Sequence, residues 1–341
     1  MNHTLTALHG VQVGHATHPE MLTGCTVILF DRSLPVAYKS YGGVPGTFNT
    51  DNLRNGMSYA ARDALFVAGG SANGLAAAAT IAEAMVREKI GLQSRQTTIP
   101  SVSGATIWDL SVGEGQFDPD YGAEAFLIRS PRAVESGNVG AGTGASVGKF
   151  SYTDDGLMLN MKGGVGSARV DVGRGVFVCA LSVVNAMGNI VLPNGSVLAG
   201  NRTVSSESRF QQFGEVLSPP AVSSSNTTIT IVGTTADLES REHYERIAHY
   251  ATQGQVRAID PVNTSLDGDT VFVFSTKEIC GFLNPLEERQ NHQGWPNIGV
   301  DLIGNAAAQA TRESIYDACR QAKTIEYGHA YKGIVPSCHD R

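Results

Sequence analysis

Residues 223–238 read SSSNTTITIVGTTADL: a polar, Ser-rich run that changes at Thr227 into alternating threonine and isoleucine. The second half is β-branched and predicts a buried strand. The first half closes a longer Ser- and Pro-rich stretch, residues 203–226, which composition alone would mark as a linker. Two apolar strands are expected beyond it, NTTITIVGT and DTVFVFST, and they need sheet partners. Those partners have to come from upstream, so residues 1–341 are expected to form one domain with an internal loop.

Working outward, GCTVILF, DALFVAGG and GVFVCALSVV also read as strands buried on both faces. Helical patterns alternate with them. SANGLAAAATIAEAMVREKI follows a strand directly, with Ser71 expected as its N-cap. LESREHYERIAHYATQG spaces Leu238, Tyr244, Ile247 and Ala248 helically, with Gly254 as the expected stop. NAAAQATRESIYDACRQA makes a third helix. Strands mixed with helices throughout predict a layered α/β or α+β architecture.

The 341 residues are 42% hydrophobic and 17% charged, enough to build a large core. A formal net charge of -7 without a basic stripe argues against nucleic-acid binding. No stretch reaches the length of an apolar membrane span, and the N-terminal MNHTLTALHG lacks a signal-like charged and apolar pattern. A cytoplasmic protein without a membrane partner is expected. Five cysteines contain no CxxC pair, and Cys25, Cys179 and Cys280 are expected as buried thiols. The 39 glycines point to many tight turns and close backbone approaches.

Several stretches imitate known sites. GNVGAGTGASVGKF, residues 137–150, lacks the first phosphate-loop glycine (Thr143) and the final hydroxyl (Phe150). It remains a Gly-rich turn that delivers Lys149. KGGVGSARVDVGRG, residues 162–175, has Arg169 where a dinucleotide fingerprint needs its third glycine, and reads as a hairpin. In LDGDTVFVFST, Asp267 and Asp269 flank Gly268 at a strand's mouth: a polar turn, or two carboxylates facing a cleft. Asn185 ends the apolar run SVVN, either in a turn before Gly188 or with its amide aimed at an oxyanion. No G-x-S-x-G or H-E-x-x-H motif occurs.

A threonine hydroxyl becomes a good nucleophile when a base takes its proton, and the residue's own α-amino group can be that base. That group exists only if the chain is cut just before Thr227. A strand start would fix the residue, and a pliable loop would let the other end swing away.

Together these stretches resemble the L-aminopeptidase/D-esterase family of self-cleaving hydrolases, which includes the nylon-oligomer endohydrolases. The resemblance runs from GVQVGHATHPEMLTGCTVILF through FVAGGSANGL, GATIWDL, GNVGAGTGASVGK, KGGVGSARV, VVNAMGN and NTTITIVGTTADL to DPVNTSLDGDTVF. It implies a four-layer α/β/β/α sandwich cut between Asn226 and Thr227 into 1–226 and 227–341. It further implies Thr227 as nucleophile, Lys149 as an active-site lysine, Asn185 as oxyanion-hole amide, and Asp267 and Asp269 as nearby carboxylates. Trp108 falls where relatives carry Tyr or Phe. Lacking a hydroxyl, it is expected as a pocket wall.

Asn-Thr-Thr is closer to the nylon-oligomer branch, since aminopeptidase members often use serine. Glu114 in GEGQF reads as an exposed loop acid or, in the aminopeptidase case, as the anchor for a substrate ammonium. The resemblance requires no metal or organic cofactor and implies a homo-oligomer, such as a tetramer of cut protomers. The alternative is a non-enzymatic binding module, or a nucleotide-dependent enzyme using the Gly-rich turns.

Overall fold

The computed structural model describes residues 2–340 except 55, 59, 111, 114–115, 154–155, 157, 204–209, 216–225, 284–297 and 327–333. Most of the expected linker 203–226, and Glu114, lie outside the described residues.

The long strands are β1 (Val11–His18), β2 (Thr23–Ser40), β3 (Ala61–Ala68), β4 (Val102–Thr106), β5 (Gly164–Gly173), β6 (Val176–Asn185), β7 (Thr227–Ala236) and β8 (Thr270–Ile279). The helices are α1 (Ala77–Arg87), α2 (Asp120–Leu127), α3 (Arg241–Val256) and α4 (Ile298–Gln321). Strand β2 belongs to two sheets. Its first part lies between β1 and β3, and β3 continues to β4. After a register shift between Leu29 and Leu34, residues 36–40 pair with β8 at the edge of the order β5-β6-β7-β8.

Period-two alternation with both faces buried produces the layers. Odd-numbered Cys179, Leu181, Val183, Ile229 and Ile231 meet Ile28, Phe30, Leu65 and Val67 of the facing sheet. Val178, Ala180 and Val232 point the other way, onto Tyr244, Ile247 and Ala251 of α3 and Val300, Ile303 and Ala307 of α4. On the far side Val27, Phe66 and Ala68 pack on Ala77, Ile81 and Met85 of α1 and Phe126 of α2. Each buried aliphatic or aromatic side chain contributes about 1.5–3 kcal/mol. The result is the expected α/β/β/α sandwich.

Strands from both sides of residue 226 share one sheet. β7 runs antiparallel to β6 and parallel to β8. Residues 164–185 form the expected hairpin.

Three local expectations are corrected. Ser71 does not cap α1: it has φ 56° and opens a 3₁₀ turn (Ser71–Ala76) ahead of the helix, with no side-chain cap bond at either start. Gly254 does not stop α3 but lies buried within it, where a Cβ would stand 2.3 Å from the Ala308 carbonyl of α4. Helix–helix approach, not termination, requires that glycine. Cys280 is exposed, whereas Cys25 and Cys179 are buried. Among the described residues no helix is long and apolar enough to cross a membrane.

Candidate active site

Thr227 is the first residue of β7 and stands directly across from Asn185, the last residue of β6. Alternation along β7 puts its side chain on the same face as Ile229 and Ile231, at the mouth of the space between the sheets. Both residues are buried.

Lys149 reaches this pair because of the turn before it. Gly148 has φ 70°, and a Cβ there would come within 2.0 Å of the Asn201 nitrogen, so only glycine fits. The Gly148 and Lys149 N–H groups donate to the carbonyls of Gly188 and Met187 at 3.0 and 2.9 Å. Lys149 Nζ then donates to the Asn185 carbonyl (2.9 Å) and to Asn185 Oδ1 (2.8 Å). Oδ1 also accepts the Ser146 N–H at 3.1 Å. Since lysine can only donate, the orientation of the Asn185 amide is fixed. Its Nδ2 donates to the Trp108 carbonyl at 2.8 Å. Half-buried Trp108 therefore joins the site through its backbone carbonyl.

The two aspartates close the other side. Asp267 Oδ2 accepts the N–H (2.9 Å) and hydroxyl (2.5 Å) of Thr264, and Oδ1 the Met187 N–H (3.4 Å). Asp269 Oδ1 accepts the Thr228 N–H at 2.6 Å, and Oδ2 the Asn263 N–H at 2.9 Å. Between them Gly268 lies against the nucleophile candidate: a Cβ would be 2.8 Å from Thr227 Oγ1.

Asn226 is bridged to this segment. Its N–H donates to the Leu266 carbonyl at 2.9 Å, and its own carbonyl accepts the Gly268 N–H at 2.6 Å. The Thr227 hydroxyl also donates to that carbonyl oxygen. The Asn226–Thr227 peptide bond thus sits under its own hydroxyl and a backbone donor.

Burial governs the charges. It lowers the Lys149 ammonium to about 7, against the pull of Asp267, Asp109 and Asp269. Burial, and then the charge of Asp267, push Asp269 up to about 7. Asp267 is raised by burial, held back by its Thr264 bonds.

The structure therefore gathers Lys149, Asn185, Asn226, Thr227, Asp267 and Asp269, with Trp108 at the edge. Sequence reasoning missed three groups. Gly268 contributes only a backbone N–H. Buried Asp109 accepts the Gly70 N–H and the Thr23 hydroxyl, both at 2.7 Å, and so anchors the turn that carries Trp108. Lys162 donates to the carbonyls of Gly142, Ala145 and Gly163 behind the Gly-rich turn. Asp109 adjoins Trp108 in IWDL, but the other two carry no local signal. A cavity of about 390 Å³ has Tyr38, Ser40, Pro45 and Asn49 in its wall. Ser40 donates from it to the Asp269 carbonyl at 3.2 Å.

Comparison with known proteins bears on the family and the fold. The model of peptidase family S58 matches residues 3–331. An uncharacterized aminopeptidase of Mycobacterium leprae is 35% identical over 297 residues, 80% of this chain and 78% of that protein. The 6-aminohexanoate-oligomer endohydrolase of Paenarthrobacter ureafaciens is 28% identical over 317 residues, 91% and 84% of the two chains. Among solved structures, the L-aminopeptidase D-Ala-esterase/amidase of Ochrobactrum anthropi, a variant of the Ntn-hydrolase fold, superposes with TM-score 0.69 at 18% identity. That match covers 98% of this chain and 90% of the other.

Proposed function

The chain belongs to peptidase family S58, and on that premise we propose that it is a self-processing amide hydrolase with Thr227 as nucleophile. The carrying observation is the Asn226 carbonyl oxygen, bonded at once by the Thr227 hydroxyl and the Gly268 N–H.

In the self-cut, Thr227 Oγ1 gives its proton to the buried Lys149–Asp267–Asp269 cluster and attacks the Asn226 carbonyl carbon. The C–N bond breaks and the Thr227 nitrogen takes a proton, leaving an ester on Oγ1. Water hydrolyses that ester to an Asn226 carboxylate and the restored Thr227 hydroxyl, beside the α-amine that the C–N cleavage freed. In turnover the new α-amino group, with a reference pKa of roughly 7.7–8.0, serves as base and then as acid to the leaving amine. Lys149, Asp267 and Asp269 tune it, and the Asn185 amide supports the oxyanion. Trp108 walls the substrate side. No metal or organic cofactor enters the scheme. The substrates are peptides, as for an aminopeptidase, or nylon-like 6-aminohexanoate oligomers.

Denaturing electrophoresis with N-terminal sequencing tests this. Active protein should give fragments 1–226 and 227–341, the smaller beginning Thr-Thr-Ile. A single full-length band from active protein would overturn the proposal in favour of a binding module or a nucleotide-dependent enzyme.

A further inference from the structure

The segment Leu266–Gly268 holds residue 226 as a sheet edge holds one added residue. It accepts the N–H of that residue at the Leu266 carbonyl and donates from the Gly268 N–H to its carbonyl. The Asn226 side chain is fully buried there. In the proposed self-cut, the ester on Thr227 Oγ1 carries Asn226 as its acyl group. A substrate's acyl-enzyme has the same connectivity: Thr227 Oγ1, a carbonyl, then the acyl residue. We propose that the Leu266–Gly268 edge is the subsite for the acyl residue of the substrate, and that the chain's own Asn226 is its first occupant. This rests on the reading of Thr227 as acyl acceptor.

The edge specifies the chemistry of its occupant. Carbonyl and N–H must belong to one residue, as in an α-aminoacyl unit at the end of a peptide or inside it. A 6-aminohexanoyl unit can meet Gly268, but its nitrogen lies five methylenes away from its carbonyl and misses Leu266. Because residue 226 is enclosed, a small side chain fits. The carboxylate end produced by the cut must vacate the edge before substrate can enter, so it competes with substrate.

The test compares p-nitroanilides on the purified, cut protein. N-acetyl-L-alanyl anilide should exceed both its N-methyl-alanyl analogue and the 6-aminohexanoyl anilide by about tenfold or more in kcat/KM, one buried hydrogen bond's worth. Acetyl-L-asparagine should inhibit competitively, and its N-methyl form about tenfold less well. Equal rates for the N-methyl pair, or preference for the 6-aminohexanoyl anilide, would overturn the assignment.

A second measurement uses the self-cut, which needs no added substrate. Exchanging the Gly268 amide N–H for an ester oxygen, by glycolic acid at position 268, should slow cutting and subsequent turnover alike, by about a hundredfold. Slowed cutting with unchanged turnover would show that the edge serves only once and sink the proposal. Failure of the underlying reading looks different: Thr227→Ala protein would still hydrolyse the anilides.

Discussion

Two lysines, Lys149 and Lys162, lie close in sequence, are both fully buried, and are both lowered to about 7 by desolvation. Their partners differ. Lys162 bonds three backbone carbonyls, at 2.6–3.1 Å, and ties the Gly-rich turn to the strand behind it. Lys149 bonds Asn185 twice and feels three carboxylates, Asp267, Asp109 and Asp269. One ammonium holds backbone carbonyls alone; the other also holds the side chain of Asn185, which stands opposite Thr227, and lies in the field of Asp267 and Asp269. A perturbed pKa alone does not separate these roles; the identity of the acceptors does.

The predictions bear on that contrast. Thr227→Ala should abolish both self-cutting and turnover while the sandwich still folds, as read by electrophoresis and an amide-hydrolysis assay. Wild-type turnover in that variant would remove the chemical meaning of Lys149's neighbourhood. Lys149→Met should slow self-cutting by about a hundredfold, in the range of a lost proton-transfer or oxyanion contributor. Turnover by any cut fraction should also need higher pH, because removing a nearby positive charge makes the α-amino group harder to deprotonate. An acid limb that stays put or moves down would contradict this.

Lys162→Met should act on stability instead. Orphaning its carbonyl acceptors is expected to cost about 2 kcal/mol in denaturant unfolding, with hydrolysis per folded molecule changed only a few-fold. A Lys162 variant as inactive as the Lys149 variant would erase the distinction.

The smallest effect concerns pH and stability. Asp269 is raised from its ordinary 3.8 to about 7, so the folded chain binds more protons than the unfolded one in that interval. Stability from this group therefore falls as pH rises from about 4 to about 7. Asp269→Asn should flatten that part of the slope in urea midpoints, leaving the same-signed contribution of Asp267. An unchanged slope would mean Asp269 does not titrate there.

Much of the architecture was legible because strands buried on both faces write themselves as apolar runs, as in VFVCALSVV and TITIV. Positions that depend on distant backbone were not. Gly254 looks like a helix stop, but its role is set by Ala308 on another helix. Ser71 has a capping residue's chemistry, yet its backbone is left-handed. In the site, Thr227, Lys149, Asn185 and the two aspartates stood out through ordered blocks shared with a family, not through spacing. Lys162 sits in a stretch that reads as a plain hairpin, since three carbonyls converging on one ammonium leave no trace in neighbouring letters. The Gly268 N–H is a group every residue but proline possesses.

β7 and β8, both from beyond residue 226, lie between β6 on one side and the end of β2 on the other. A nick at 226 would therefore leave the shorter piece wedged inside the longer one. Its escape would mean unzipping two flanking ladders and baring the interior. Native gels should show a single species whether or not the backbone is intact, and only denaturant should tell the two apart.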